Sequence, residues 1–528
     1  MFQRTYSWRK DNIKSFWEDL IETAKSKEGI YHFFGSFVTM PTNTSPSRAA
    51  QYLIIDGQQR FITIFLFLSA LRNRILEINS NYEKRDEIYE LYLINKYLNE
   101  DKYKLIPTQA DRDFFFNIID NSLPNFNNEH PIVAVAKFFK NELSKYNEID
   151  NLNTLKNTLL SRFSVVDIIL ENNDDPYLIF ESLNAKGTPL TQADLIRNYL
   201  FMKIDQDNQK NIYDKIWYPM QENLGENIEE FFRHYMAMDG NMPNFNKIYA
   251  TFKENIDKKA KKGEDIINII QNLSTFAEYY STFINPKKES NDVIKEYLNK
   301  IKDLEMTTSY PLLLRLYDDY KNGRLSGDDL AKCLKSIETF IVRRALCKYP
   351  TNSLNKYFPA IYNPLDESNL VQSLIEKLKS GTGSLEMPPD NKFKQCIMGQ
   401  PLLHTKIIRY ILKEIEKYDN KEPPDFENLQ IEHIMPQTLD DDWKNELGNN
   451  WQSTHNTYLN TLGNLTLTGY NQEYSNKSFI EKRDMKNGFK DSRLKINKDL
   501  VLINKWTEKE IEDRARKLSD IALKIWSI

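Results

Sequence analysis

The residues with the most chemistry lie near the end of the sequence. They are Ile431-Glu432-His433-Ile434-Met435-Pro436-Gln437, then Leu462-Gly463-Asn464-Leu465-Thr466-Leu467, then Asn471-Gln-Glu-Tyr-Ser-Asn476-Lys477. Hydrolysis of a phosphodiester needs a base to activate water, a cation to neutralise charge on the phosphate, and a scaffold that holds both. An imidazole titrates near neutral pH, so His433 is the candidate base. Glu432, with an asparagine amide oxygen, offers the hard oxygen ligands that magnesium prefers. Taken alone, His433 reads as a packed structural histidine and the Gly-Asn pair as an ordinary turn; the ordered elements around them favour a hydrolytic site.

A second constellation, Asp56-Gly57-Gln58-Gln59-Arg60, falls between an apolar strand pattern, Gln51–Ile55, and a helix expected to open at Phe61 and run to about Ile78. Backbone N–H groups and the dipole at a helix start attract phosphate. Gly57 lets the backbone approach an anion, and Arg60 supplies a forked cationic donor. Gln58 and Gln59 add amides able to handle nucleotide phosphates. The sequence contains no G-x-x-x-x-G-K-[ST], so this is not a P-loop. Without further support, the same five residues read as a helix cap with a surface arginine.

These sites need elements to position them. At 528 residues the chain exceeds what one core usually serves, so two or three domains are expected. A helix is predicted from Lys10 to about Lys25, strand character from Tyr31 to Thr39, and a polar turn over Pro41–Ser47. Helical patterns fill residues 80 to 170 apart from an apolar strand, Phe163–Leu170, and a loop at Lys186–Pro189 precedes another helix beginning at Thr191. Helix follows helix from 206 to 420, until Pro423-Pro424 marks a boundary. Two short strands and a closing helix complete the chain. Ser478 and Glu481 have capping-box spacing, which places a helix start after Ser478 with Asn471 and Asn476 in the loop before it. His455 is expected in a surface loop.

Composition sets outer limits. Charged residues are 28%, hydrophobic residues 40% and the net charge −4, which fits a soluble globular protein and excludes a disordered or collagen-like one. Net charge therefore gives no sign of DNA binding; a basic surface would have to be local, as at Lys258-Lys259-Ala260-Lys261-Lys262, although such runs are commonly solvated helix ends. Cys333, Cys347 and Cys396 are far apart, odd in number and without C-x-x-C spacing, which argues against a disulfide framework or zinc ribbon and for a reducing cytoplasm. No stretch approaches the ~20 apolar residues of a membrane span, and the first ten residues lack a signal-peptide core.

The C-terminal motifs resemble the HNH (ββα-metal) nuclease motif. The resemblance implies that His433 is the general base, Glu432 the metal-binding acid, Asn464 the residue that fixes the loop, and Asn471 the third-position metal ligand, with Asn476 as its alternate. An asparagine replaces the commoner third histidine and no zinc-binding cysteines flank the site, which favours magnesium or manganese over zinc. At the other end, Gln3-Arg4-Thr-Tyr6-Ser-Trp8, Phe34-Gly35-Ser, Asp56–Arg60 and Phe180-Glu-Ser-Leu-Asn184-Ala-Lys-Gly187-Thr-Pro-Leu190-Thr-Gln-Ala-Asp194-Leu together resemble the ParB/sulfiredoxin-like nucleotidase domain of GmrSD-type restriction enzymes. The middle stretch Val342-Arg343-Arg344 to Asn355-Lys356 is similar to that family's helical region, so the resemblance covers nearly the whole chain. That family carries a short strand and a proline before the Gln-Arg pair; their absence leads to the expectation of an N-terminally shortened sequence.

The resemblance implies an α+β, predominantly helical protein: a ParB/sulfiredoxin-like α/β nucleotide-binding domain over 1–205, a helical region over 206–420, and a ββα-metal HNH endonuclease domain over 421–528. It implies a nucleotide site formed by Gln3, Arg4, Asp56, Gly57, Gln58, Gln59, Arg60, Asn184 and Gly187. The expected activity is that of a prokaryotic defence nuclease that cuts foreign, modified DNA, with Mg2+ or Mn2+ and a nucleoside triphosphate as cofactors and NTPase activity among the expectations. Expected partners are double-stranded DNA and the nucleotide, with a homodimer as the assembly to test. Two rival readings remain: a regulator or modified-DNA reader whose HNH segment is only a scaffold, and a nuclease whose N-terminal cradle holds DNA backbone instead of nucleotide.

Overall fold

In the computed structural model the described residues are 5–43, 50–84, 86–98, 102–121, 130–171, 191–204, 206–261, 263, 265–402 and 407–527. Gln3, Arg4, Asn184 and Gly187 lie outside them. The chain forms two compact units, Met1–Asn211 and Ile212–Ile528. Among the described residues, no helix is long and apolar enough to cross a membrane.

The first unit is built on helix α1, Lys10–Lys25, whose Ile13, Phe16, Trp17 and Leu20 recur at helical spacing and are all buried. Helix α2, Gln58–Ile78, buries Ile62, Leu66, Phe67, Leu71 and Ile75 in the same core. Strands β1 (His32–Asn43), β2 (Gln51–Asp56) and β3 (Phe163–Ile169) form one sheet in the order β2-β1-β3. β1 pairs antiparallel with β2 and parallel with β3, so the hairpin and the returning strand make a mixed sheet. The polar turn expected from Pro41 begins later, because β1 continues through Pro41 and pairs it with Tyr52.

The second unit is almost wholly helical, apart from the short pair β4 (Gln430–His433) and β5 (Leu465–Thr468). One core joins Val342, Phe393 and Ile411 of the helical region to Leu465 and Leu467 of β5 and to Leu518 and Trp526 near the end of the chain. Arg343 reinforces it, donating to the carbonyls of Trp526 at 2.8 Å and Pro388 at 2.9 Å. Packing therefore runs straight across the Pro423-Pro424 pair, which lies in the connection after helix Ile407–Lys417 and does not end the core.

Cys347 and Cys396 form a disulfide, with Cα atoms 5.2 Å apart. This corrects the reading that the number and spacing of the cysteines argue against disulfide bonding. The two residues are 49 positions apart, and only the packing of helix Asp390–Gly399 beside helix Gly327–Leu346 brings them together. Cys333 stays free and buried, and burial pushes its thiol up to about 12.

Candidate functional site

β4 and β5 pair antiparallel, with Glu432 opposite Thr466 and His433 opposite Leu465. Beyond the last pair the chain is pinned by one side chain. Asn464 accepts from Met435 N at 2.8 Å and from Trp506 Nε1 at 3.0 Å, and it donates to the carbonyls of Met435 and Leu459, both at 2.9 Å. Its own carbonyl takes the Ile434 N–H at 2.9 Å. The amide is fully buried and uses both its donors and its acceptor, so its work is to hold the turn after His433. Gly463 next to it faces the closing helix, Glu508–Ile525, so closely that a Cβ would lie 2.3 Å from the Ile511 carbonyl. Arg514 of that helix binds the carbonyls of Gly463 and Leu465, each at 2.8 Å.

His433 is nearly buried, and its Nε2 lies 3.1 Å from Asn460 Oδ1. An amide oxygen can only accept, so Nε2 carries the proton and Nδ1 is the basic nitrogen. Glu432, the residue before it in the strand, is also buried; burial raises its carboxyl to about 7 although the Lys482 ammonium pulls the other way. Lys482 Nζ donates to Glu432 Oε1 at 2.7 Å, His433 O at 2.8 Å and Ile434 O at 3.2 Å. It belongs to helix Phe479–Asp484, whose start is fixed by the reciprocal Ser478–Glu481 capping box. Phe479 anchors that helix by stacking on Trp506, ring centres 5.1 Å apart.

Asn476 lies in the connection before the helix at Phe479, as expected, whereas Asn471 is placed differently. Asn471 opens a helical turn, Asn471–Tyr474, instead of lying in a loop, and its amide nitrogen is 3.4 Å from Gln430 Oε1 and from Ile431 O. Asn476 is exposed between this turn and the next helix. His455 is likewise not in a loop: it sits in helix Trp451–Tyr458, with Nε2 3.0 Å from the Pro436 carbonyl. Among the described residues, no group of three His, Cys, Asp or Glu side chains could hold a metal ion.

In the first unit α2 starts at Gln58, three residues before the expected Phe61, so Arg60 lies within its first turn. Gly57 is the N-cap at φ +95°, and a Cβ there would sit 2.4 Å from the Phe37 ring; only glycine fits this turn. Gly35, at φ +109°, lets the Arg60 guanidinium lie across β1, where a Cβ would be 3.1 Å from it. Arg60 Nη2 donates to Ser36 O at 3.0 Å and is 3.6 Å from Asp56 Oδ2. Asp56, Gly57 and Arg60 are thus brought together with the open N–H groups of a helix start. The two glutamines turn away from it. Gln58 Nε2 donates to Ile54 O at 3.2 Å, while Gln59 accepts from Ser7 N at 2.8 Å and donates to Thr5 O at 3.3 Å. Their amides clamp backbone, Gln59 holding the segment around Tyr6 against α2.

Family models for the N-terminal and C-terminal domains of GmrSD restriction endonucleases match residues 1–201 and 387–521, together well over half of the chain. The chain belongs to the GmrSD restriction endonuclease family. No individual curated protein matches it. The GmrSD C-terminal match begins at 387, ahead of the boundary expected near 421, and it takes in Phe393 and Ile411 of the shared core. Sequence reasoning missed three side chains of this GmrSD domain that the structure sets around the strand pair: Asn460, Lys482 and Arg514. Each acts on a residue at least 27 positions away, so no local pattern marks it. In the GmrSD N-terminal match it also missed Arg197 and Asn198, buried in helix Gln192–Met202; Arg197 Nη2 is 3.3 Å from Asp194 Oδ1, and among the described residues Arg197 Nε and both Asn198 amide atoms have no hydrogen-bond partner.

Proposed function

We propose that this protein is a nucleotide-regulated DNA endonuclease that hydrolyses phosphodiester bonds of foreign, modified DNA as part of a prokaryotic defence against phage. One observation carries the reading: His433 stands at the end of a strand whose exit is clamped by Asn464, with its Nε2–H committed to Asn460 Oδ1, so that Nδ1 is the basic nitrogen. In the reaction Nδ1 takes a proton from water, the hydroxide attacks phosphorus, and the P–O bond to the leaving sugar oxygen breaks. The imidazolium so formed is the proton store from which that oxygen can be reprotonated. Asn464 and Asn460 hold the base; neither reacts.

Magnesium or manganese is the ion class such hydrolysis draws on, supplying charge neutralisation at the phosphate. Glu432 does not fit as its ligand, because its carboxylate is buried and already meets a lysine ammonium. Asn471 and Asn476 remain as candidate oxygen donors. In the first unit Asp56, Gly57 and Arg60 would receive a nucleotide phosphate, with Gln58 and Gln59 supporting the backbone around it. A cradle of this kind also suits a DNA phosphate, and nucleotide binding measured without DNA separates the two. The function is tested by incubating the protein with modified and unmodified phage DNA, with and without each nucleoside triphosphate. Selective cutting that depends on a nucleotide supports it; no cutting under any combination defeats it.

A further inference from the structure

We propose that Lys482 is the permanent cation of the nuclease site, and that Glu432 is a positioning residue held by it and not a metal ligand. The inference rests on the nuclease reading and deepens it.

The argument begins with burial. Lys482 has no exposed side-chain surface and Glu432 only 4%, so this is not a solvated surface pair that an arriving ion could part at little cost. A buried carboxylate requires a partner, and here the 2.7 Å contact to Nζ provides one. The same ammonium spends its other two protons on the carbonyls of His433 and Ile434, so all three of its donors are used. A divalent ion at Glu432 would have to approach a carboxylate that is only 4% exposed, one of whose oxygens is held by Lys482, and settle beside a charge of its own sign. The buried pair therefore disfavours metal ligation there.

Placement points the same way. Lys482 is reached by a helix that is fixed at both ends of its first turn, by the Ser478–Glu481 capping box and by Phe479 packed on Trp506. Trp506 in turn donates to Asn464, the residue that clamps the turn after His433. Strand exit, clamp and cation thus form one connected set, and Lys482 ties its helix to the backbone on which the imidazole is carried. A hydrogen bond from an ammonium to a carbonyl fixes that backbone without any metal ligation by Glu432.

Calorimetric titration of the full-length protein with Mn2+, for wild type, Glu432→Gln and Lys482→Met, tests this, alongside plasmid cleavage over a range of Mn2+ concentrations. Wild type and Glu432→Gln should bind Mn2+ alike, within about three-fold, and their cleavage should reach half its maximum at the same Mn2+ concentration within the same factor, even if the maximal rate falls. Lys482→Met uncovers Glu432, so Mn2+ affinity should rise at least ten-fold and fall back in the Glu432→Gln/Lys482→Met double variant. The double variant also removes the charge left buried by Lys482→Met, so it gives a folded comparison should the single variant fail to fold. Mn2+ binding to Glu432→Gln that is more than three-fold weaker than to wild type, or a cleavage midpoint raised by more than that factor, would overturn the proposal. A wild-type protein that cuts no DNA with any divalent ion would remove the nuclease reading while leaving the calorimetric comparison to stand or fall by itself.

Discussion

Asn464→Ala and Asn464→Asp separate the clamp's hydrogen bonds from its bulk. The native amide makes four bonds of 2.8–3.0 Å inside a buried site. Truncation to Ala leaves Met435 N, Trp506 Nε1 and the carbonyls of Met435 and Leu459 without that partner. A buried group left unpaired costs about 1–3 kcal/mol, and water entering the space vacated would recover part of the total, so a net loss of roughly 3–5 kcal/mol is expected. Asp keeps the volume and the oxygen that accepts from Met435 N and Trp506 Nε1. It replaces the donating nitrogen with an oxygen aimed at two carbonyls, so it should cost at least as much as Ala. Urea unfolding at neutral pH measures both, and cleavage by whatever fraction stays folded should fall with them because His433 is on the clamped strand. A loss below about 1 kcal/mol for Asn464→Asp, with cleavage unchanged, would refute the reasoning.

Gly463→Ala should displace the closing helix, since its Cβ would meet the Ile511 carbonyl at 2.3 Å; a loss of roughly 1–3 kcal/mol and reduced cleavage are expected, read by thermal unfolding and a plasmid assay. His234 is held neutral in the core: burial, helped by the Arg233 charge, pushes it down to about 3. Because the unfolded imidazole titrates near 6.5, this contribution is intact above that pH and is lost as pH falls toward 3, by about 2 kcal/mol at pH 5. His234→Gln should flatten the fall in urea midpoint between pH 7 and pH 5, and an unchanged slope would assign the acid sensitivity elsewhere. Arg60→Ala should weaken nucleoside triphosphate binding roughly ten- to a hundred-fold, as expected for loss of one charge-assisted hydrogen bond of about 1.5–3 kcal/mol. Calorimetry checks it, and wild-type affinity for every nucleotide would remove Arg60 from the site.

What the sequence disclosed and what it hid follow from the range of each interaction. α1 was legible to the residue because Ile13, Phe16, Trp17 and Leu20 repeat at helical spacing, and the helix after Ser478 because its capping box is written in four adjacent positions. The start of α2 was misplaced because Gln58 and Gln59 are polar yet buried, and only their backbone partners at Ile54, Thr5 and Ser7 explain that. The His433 strand could be read from its motif. Lys482 could not, since a lysine four residues past a helix cap looks like any solvated one until Glu432 is found against it. Pro423-Pro424 falls in the connection after helix Ile407–Lys417, but a core built from Val342, Ile411, Leu465 and Leu518 has no sequence-local sign of its continuity.

The central claim, that His433 is the base of a DNA-cutting site, is tested most directly by comparing wild type and His433→Ala on plasmid DNA at saturating Mn2+, with the urea midpoint of each measured alongside. The account predicts cleavage at background for the variant, with a urea midpoint lowered by loss of a nearly buried ring but a cooperative unfolding transition retained. Cleavage by the variant within ten-fold of wild type would contradict it.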